Sequence, residues 1–218
     1  MTDKTSKTDN QDPRAKLALR RYFLAKYHAD GPRHVLDCCQ GGGVLWKRLL
    51  AEYPADSYWG LDLKQKKGRL KIDSSRILAQ SGWPQNIVDI DTYGSPWKHY
   101  RAMLPNISQP TTVFVTVGQK VTGTVGKLSK EAIGAIGLKE LYTQLPPAFH
   151  VKLAVLCCST ILFSTAKYGI MVVEAMETIS GRNARYIGLR LSPKTNGHGG
   201  VTRGRSEHTQ AEKEPEHV

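Results

Sequence analysis

Asp89-Ile90-Asp91-Thr92-Tyr93-Gly94-Ser95-Pro96 follows the apolar pair Ile87-Val88. The segment predicts a buried strand ending in a tight loop. A carboxylate at a strand's C-terminal end, with a flat aromatic beside it, suits a pocket that stacks a planar ring and grips its amine. The plain alternative is a strand-ending turn with no ligand. Asp91 is the candidate amine acceptor and Tyr93 the candidate stacking partner. Ser95, Pro96, Lys98 and Arg101 are the candidates for contacting a substrate.

Three further acids close short apolar runs. Asp37 precedes Cys38-Cys39-Gln40-Gly41-Gly42-Gly43, a turn whose glycines let a backbone approach a ligand closely. The turn lacks the Gly-Lys-Ser/Thr of a phosphate loop and the G-x-G-x-x-G spacing of a dinucleotide fingerprint. An acid before the turn repels a pyrophosphate and favours a ligand with a cationic amine. A simple tight turn is the alternative. Asp62 ends the next run, where a carboxylate can accept both hydroxyls of a ribose; it equally suits a solvated acid capping a turn. Asp73-Ser74-Ser75 could accept from an adenine amine or could cap a helix. Jointly these acids describe a pocket for a nucleoside that carries an amino-acid cation.

The elements that must position these residues alternate between strand and helix. Residues 14–28 have helical spacing behind Pro13, and Asp30-Gly31-Pro32 ends them. Strands are expected at 33–39, 57–63, 70–73, 86–91 and 111–117, with helices at 44–53 and 97–104. Almost no room remains for a helix between the second and third strands. Residues 118–137 suggest a loop, and 128–145 and 148–165 suggest two helices around Pro146-Pro147. Strands at 170–178 and 185–191 flank Ser180-Gly181-Arg182-Asn183, a hairpin-type link. Such alternation with acids at strand ends predicts an open, mostly parallel α/β sheet, with one antiparallel strand near the C-terminus and its ligand at the C-terminal edge. Residues 1–13 and 192–218 are polar and expected to be disordered tails around one domain at 14–191.

At this point the chain resembles the class I S-adenosylmethionine-dependent methyltransferases, with their three-layer α/β/α Rossmann-like fold. Their first motif, D-x-G-x-G-x-G, is matched by Asp37 through Gly43, with Cys39 where the first glycine is usual. The resemblance implies a cofactor site for S-adenosylmethionine formed by Asp37, Cys39, Gly41, Gly43, Asp62, Asp73, Ser74 and Asp89. Residues 89–96 resemble the tRNA guanine-N2 dimethyltransferase motif Asp-x-Asp-Pro-[Tyr/Phe]-Gly-[Ser/Thr]-Pro, with Thr92 in place of the proline. That likeness implies Asp91 and Tyr93 as catalytic residues and methyl transfer to an exocyclic amine of a nucleic-acid base, RNA before DNA. A base must leave its stack to expose such an amine.

Composition bounds the alternatives. The 218 residues carry a net charge of +12, and little of it lies in the tails. A basic body favours a polyanionic partner, here nucleic acid. Candidate phosphate contacts are Lys64 to Lys71, the helix cations Arg14, Lys16, Arg20 and Arg21, and Lys98, His99 and Arg101; each cluster is also an ordinary solvated face. The cysteines form the pairs Cys38-Cys39 and Cys157-Cys158, without zinc or redox spacing. They are expected to be reduced core residues of a cytoplasmic protein, with no metal. The apolar run Leu153 to Ala166 is too short for a bilayer and reads as a core helix. Two other functions stay open. One is a methyltransferase for a small molecule or protein side chain; the other is a non-catalytic nucleic-acid-binding protein on a degenerate scaffold of this kind. Oligomeric state is left open.

Overall fold

The computed structural model describes residues 13–64, 70–92, 95–118, 153–180 and 184–194; the side chains of 153–157, 159, 179 and 180 lie outside that description. Apolar runs bounded by turn residues form the strands: β1 (His34–Asp37), β2 (Ser57–Asp62), β3 (Leu70–Lys71), β4 (Ile87–Ile90), β5 (Thr111–Gly118), β6 (Ile170–Ser180) and β7 (Ala184–Pro193). They build one sheet in the order β3-β2-β1-β4-β5-β7-β6. The pairs β3-β2, β2-β1, β1-β4 and β4-β5 are parallel. β7 runs antiparallel to both β5 and β6, so one strand is reversed, as expected. All four residues of β4 are buried, as a central parallel strand covered on both faces requires.

The helices are α1 (Arg14–Tyr27), α2 (Val44–Glu52), α3 (Ser74–Leu78), α4 (Trp97–Met103) and α5 (Leu153–Lys167). α1 starts at Pro13, where a missing N–H costs nothing. α2 starts at Gly43, whose φ of 69° is the left-handed region that favours glycine, and stops before Pro54. On one side of the sheet, Leu17, Phe23 and Leu24 of α1 and Trp46 and Leu49 of α2 pack with Val35, Ile87 and Phe114. On the other, Trp97, Tyr100 and Met103 of α4 and Ile161 of α5 pack with Leu36, Val88, Val113 and Leu189. Three layers result.

Two expectations need correction. α5 is not apolar inward throughout. Thr160, Ser164 and Thr165 are buried, while Leu162 (57% exposed) and Phe163 (63%) face outward. The inward hydroxyls of Ser164 and Thr165 donate to carbonyls of the preceding turn, which satisfies their protons within the helix. Cys158 is likewise exposed, although Cys38 is buried. The short α3 between β3 and β4 was visible in the sequence only as the capping alternative for Asp73. The expected helix at 128–145, the first five residues of the expected helix at 148–165, all but the first residue of the expected loop at 118–137, and residues 1–12 and 195–218 of the expected tails lie outside the described residues; β7 runs through Ser192 and Pro193, past the expected start of the C-terminal tail. No described helix is long and apolar enough to cross a membrane.

Candidate active site

Strand order decides which side chains meet. β2, β1 and β4 are neighbours, so Asp62, Asp37 and the segment leaving β4 share the C-terminal edge of the sheet. The order reverses between β1 and β4, the switch point where open α/β sheets bind ligands. There the Cys38 N–H donates to the Asp89 carbonyl at 2.9 Å, and the Gln40 N–H donates to the Leu61 carbonyl at 2.9 Å. The glycine loop is thereby hung between β4 and β2.

Within that loop, Gly41 and Gly43 have φ of 55° and 69°. The Gly41 N–H donates to Asp62 Oδ2 and the Lys64 N–H to Asp62 Oδ1, both at 2.9 Å. Gln40 folds its side chain across Gly60 of β2. A Cβ on Gly60 would lie 2.4–2.6 Å from the Gln40 amide, so this packing needs glycine. Gln40 Oε1 is shielded from solvent and has no partner among the described residues.

Asp37 is 4% exposed. It accepts from the Tyr58 hydroxyl at 2.8 Å. Burial, reinforced by the charge of Asp89, holds its carboxyl well above the usual carboxylate range. Burial also pushes the Cys39 thiol up, so neither it nor the enclosed Cys38 is a ready nucleophile. Asp73 caps α3, accepting from Ser75 N at 3.0 Å and from Lys98 Nζ at 2.8 Å. The hydrogen bond from Lys98, then that from Ser75, holds its carboxyl below the usual range. Ser74 Oγ donates to the Cys38 carbonyl at 2.7 Å, which ties α3 to the end of β1.

Asp89 in β4 and Asp91 just beyond it are two residues apart and share one face of the chain. Asp89, 1% exposed, accepts from Arg20 Nε at 2.8 Å, Arg20 Nη2 at 2.7 Å and Trp46 Nε1 at 2.7 Å. Its carboxylate is thus enclosed and committed to an arginine and a tryptophan of the protein. Asp91 accepts from Lys16 Nζ through both oxygens, at 2.9 and 2.7 Å, and its side chain keeps 22% exposure. Burial opposes its ionisation; Lys16 and then Arg20 outweigh that, so its carboxyl lies below the ordinary range. Because Ile90 pairs with Val115, Asp91 stands beside Thr116 at the end of β5. Thr92 Oγ1 and Ser95 Oγ in the loop that follows, and His99 Nδ1 in the first turn of α4, are shielded from solvent with no partner among the described residues. Buried polar atoms normally find partners, and leaving one unmet costs about 1–3 kcal/mol. Burial lowers the pKa of His99. Pro96 is buried at the start of α4. Tyr93 and Gly94 lie outside the described residues, as do residues 65–69 of the basic turn.

The first helix corrects the sequence reading most. Lys16 (6% exposed) and Arg20 (1%) do not form a basic surface; they point into the sheet. Arg21 is engaged by Glu52. Lys98 is engaged by Asp73, and Arg101 sits a turn along α4 beside Ala102 and Tyr168. The missed signal was geometric. Lys16 and Arg20 are four residues apart on a helix, a rise of about 6 Å, and Asp89 and Asp91 are two apart on a strand, about 6.7 Å. The two spacings match once α1 is known to pack antiparallel to β4.

No protein-family model matches the chain, and no curated protein sequence matches it. Solved structures do. Trm1 from Pyrococcus horikoshii, determined with S-adenosyl-L-methionine, superposes with a TM-score of 0.58 at 17% identity, over 84% of this chain and 56% of that one. The chain has the Rossmann-like methyltransferase fold. The plantazolicin methyltransferase BamL, determined with a triazolic desmethylPZN analog and SAH, gives a TM-score of 0.52 at 10% identity, over 85% of this chain and 88% of that one. The chain thus spans little more than half of Trm1 but most of BamL.

Proposed function

We propose that this chain is an S-adenosylmethionine-dependent methyltransferase acting on an exocyclic amine of a nucleic-acid base, RNA in preference to DNA. The observation that carries the reading is the strand order, which sets Asp62, Asp37 with its glycine loop, and Asp91 side by side at the switch point. The residues present fit the cofactor. Gly41 and Gly42 are exposed, the unmet Gln40 Oε1 lies in the same loop, and Asp37 is an acid whose ionisation a cationic amine would favour.

In this reading Asp37, Cys39, Gly41 and Gly43 hold the amino-acid end, Asp62 the ribose, and Asp73 and Ser74 the adenine side. The bound cofactor supplies an electrophilic methyl group. Asp91 accepts a hydrogen bond from the substrate amine and aligns its lone pair, the larger part of the task when the electrophile is intrinsically strong. When the nitrogen takes the methyl group, whose bond to the cofactor's sulfur would break and leave neutral S-adenosylhomocysteine, it would become cationic and give one proton to Asp91. Tyr93 stacks on the base. Thr92 Oγ1 and Ser95 Oγ lie in the same loop, where a base edge would complete them.

A methyltransferase for a small molecule or protein side chain is the second reading. It is favoured by the pairing of Lys16, Arg20 and Lys98 with acids, which takes cations away from a phosphate surface. Incubation with radiolabelled S-adenosylmethionine and a panel of RNA, DNA and protein separates the two. The proposal expects label in RNA, declining steeply as salt rises. Label in protein or in small acceptors alone overturns it.

A further inference from the structure

Lys16 is the unexplained cation of the site. It lies in the first turn of α1, is 6% exposed, and reaches both Asp91 oxygens, with its Nζ 4.9 Å from the centre of the Tyr186 ring. The charged and titratable groups around Asp91 are Lys16 and Arg20 from α1, Asp37 and Cys39 from β1 and its loop, Asp89 on β4 and Tyr186 on β7. Arg20 is committed to Asp89 by two hydrogen bonds, which leaves Lys16 as the ion-pair partner of Asp91. A buried ion pair left without one member is strongly destabilised, so this contact is not incidental.

We propose, resting on the methyltransferase reading, that Lys16 is the positioning residue for Asp91: the ion pair fixes both carboxylate oxygens and restricts the site to a neutral amine. An unpaired carboxylate at a strand edge attracts alkylammonium groups, whose nitrogen has no lone pair to methylate. A carboxylate already paired with an ammonium attracts a second cation far less. Lys16 uses one site on each oxygen, and of the roughly four acceptor sites of a carboxylate at least one remains for a neutral N–H even beside the Thr116 hydroxyl. A base amine is neutral; a lysine side chain is not. The substrate class is therefore an aromatic amine.

The test uses the full chain with Lys16→Met, Lys16→Gln and Lys16→Arg. Lys16→Gln keeps a polar contact without charge and serves where Lys16→Met fails to fold. The first measurement needs no activity: carbon NMR titration of the Asp91 carboxyl, assigned with Asp91→Asn. Removing the charge is expected to move the titration to higher pH, and Lys16→Arg to keep it near the wild type. The second is single-turnover transfer from S-adenosylmethionine to total RNA across pH. Loss of roughly tenfold or more in rate is expected for the uncharged variants. Their acid limb moves up, affinity for S-adenosylhomocysteine is unchanged, and Lys16→Arg recovers the rate. An unmoved Asp91 titration, or wild-type transfer in the uncharged variants, overturns the proposal. Label on protein lysines overturns the neutral-amine assignment. Absence of transfer by the wild type counts against the methyltransferase reading, while the titration still judges the hold of Lys16 on Asp91.

Discussion

Asp89 stays inside the protein because three donors meet it, two from Arg20 and one from Trp46. The Arg20 guanidinium also lies 5.0 Å from the centre of the Phe114 ring. Arg20→Met leaves that acid buried with one neutral donor. A loss of about 3–5 kcal/mol is expected in urea unfolding, with Arg20→Lys recovering only part because the planar fork is lost. His28 shows the opposite arrangement. It is buried with Nε2 2.9 Å from Thr112 Oγ1, and burial, then the charge of Arg190, lowers its pKa to about 4. The unfolded chain titrates near ~6.5. Between those values the unfolded state binds a proton that the native state refuses. The contribution is therefore complete above pH ~6.5 and falls as pH drops toward 4, by on the order of 3 kcal/mol. Denaturant midpoints measured from pH 7 to 4 should flatten in His28→Asn relative to the wild type.

Among the elements, the glycine loop depends on β2 as much as on its own glycines. Gly60→Ala would drive a methyl group into the Gln40 amide, and the Gln40 side chain would have to leave its place across β2. Roughly tenfold weaker S-adenosylhomocysteine binding is expected, with a small change in melting temperature, read by titration and by thermal denaturation. The strands that carry the site were legible in sequence because they are short apolar runs ending in acids or turns. β7, the reversed strand, was legible from its hairpin-type link. The function of α1 was not. Its cations are spaced like those of a solvated basic helix, and nothing local says that Asp89 and Asp91 lie opposite them. That pairing is set by tertiary packing. For the same reason Asp73 could be read as an adenine acid or a helix cap from sequence, and the cap is what the backbone displays. The outward-facing Leu162 and Phe163 of α5 were hidden because small hydroxyl residues, which can bond to their own helix, stand inward where apolar side chains are the usual choice.

For the molecule as a whole, a net charge of +12 is a weaker pointer to nucleic acid than it looked in the sequence. Lys16 and Arg20 are internal, and Arg21, Lys26, Lys98 and Arg185 are paired with Glu52, Glu174, Asp73 and Glu177. A phosphate surface has to come from other cations. The fold itself is the firmer ground, since it sets the proposed cofactor half, Asp37 and Asp62, and the proposed acceptor half, Asp91, at the ends of neighbouring strands. The division of labour between those halves is the central claim, and calorimetric titration of S-adenosylhomocysteine into the wild type, Asp62→Ala and Asp91→Ala tests it most directly. Saturable binding by the wild type, loss of binding in Asp62→Ala, and retained binding without methyl transfer in Asp91→Ala are predicted. No binding to the wild type at millimolar ligand, or equal loss in both variants, would contradict the account.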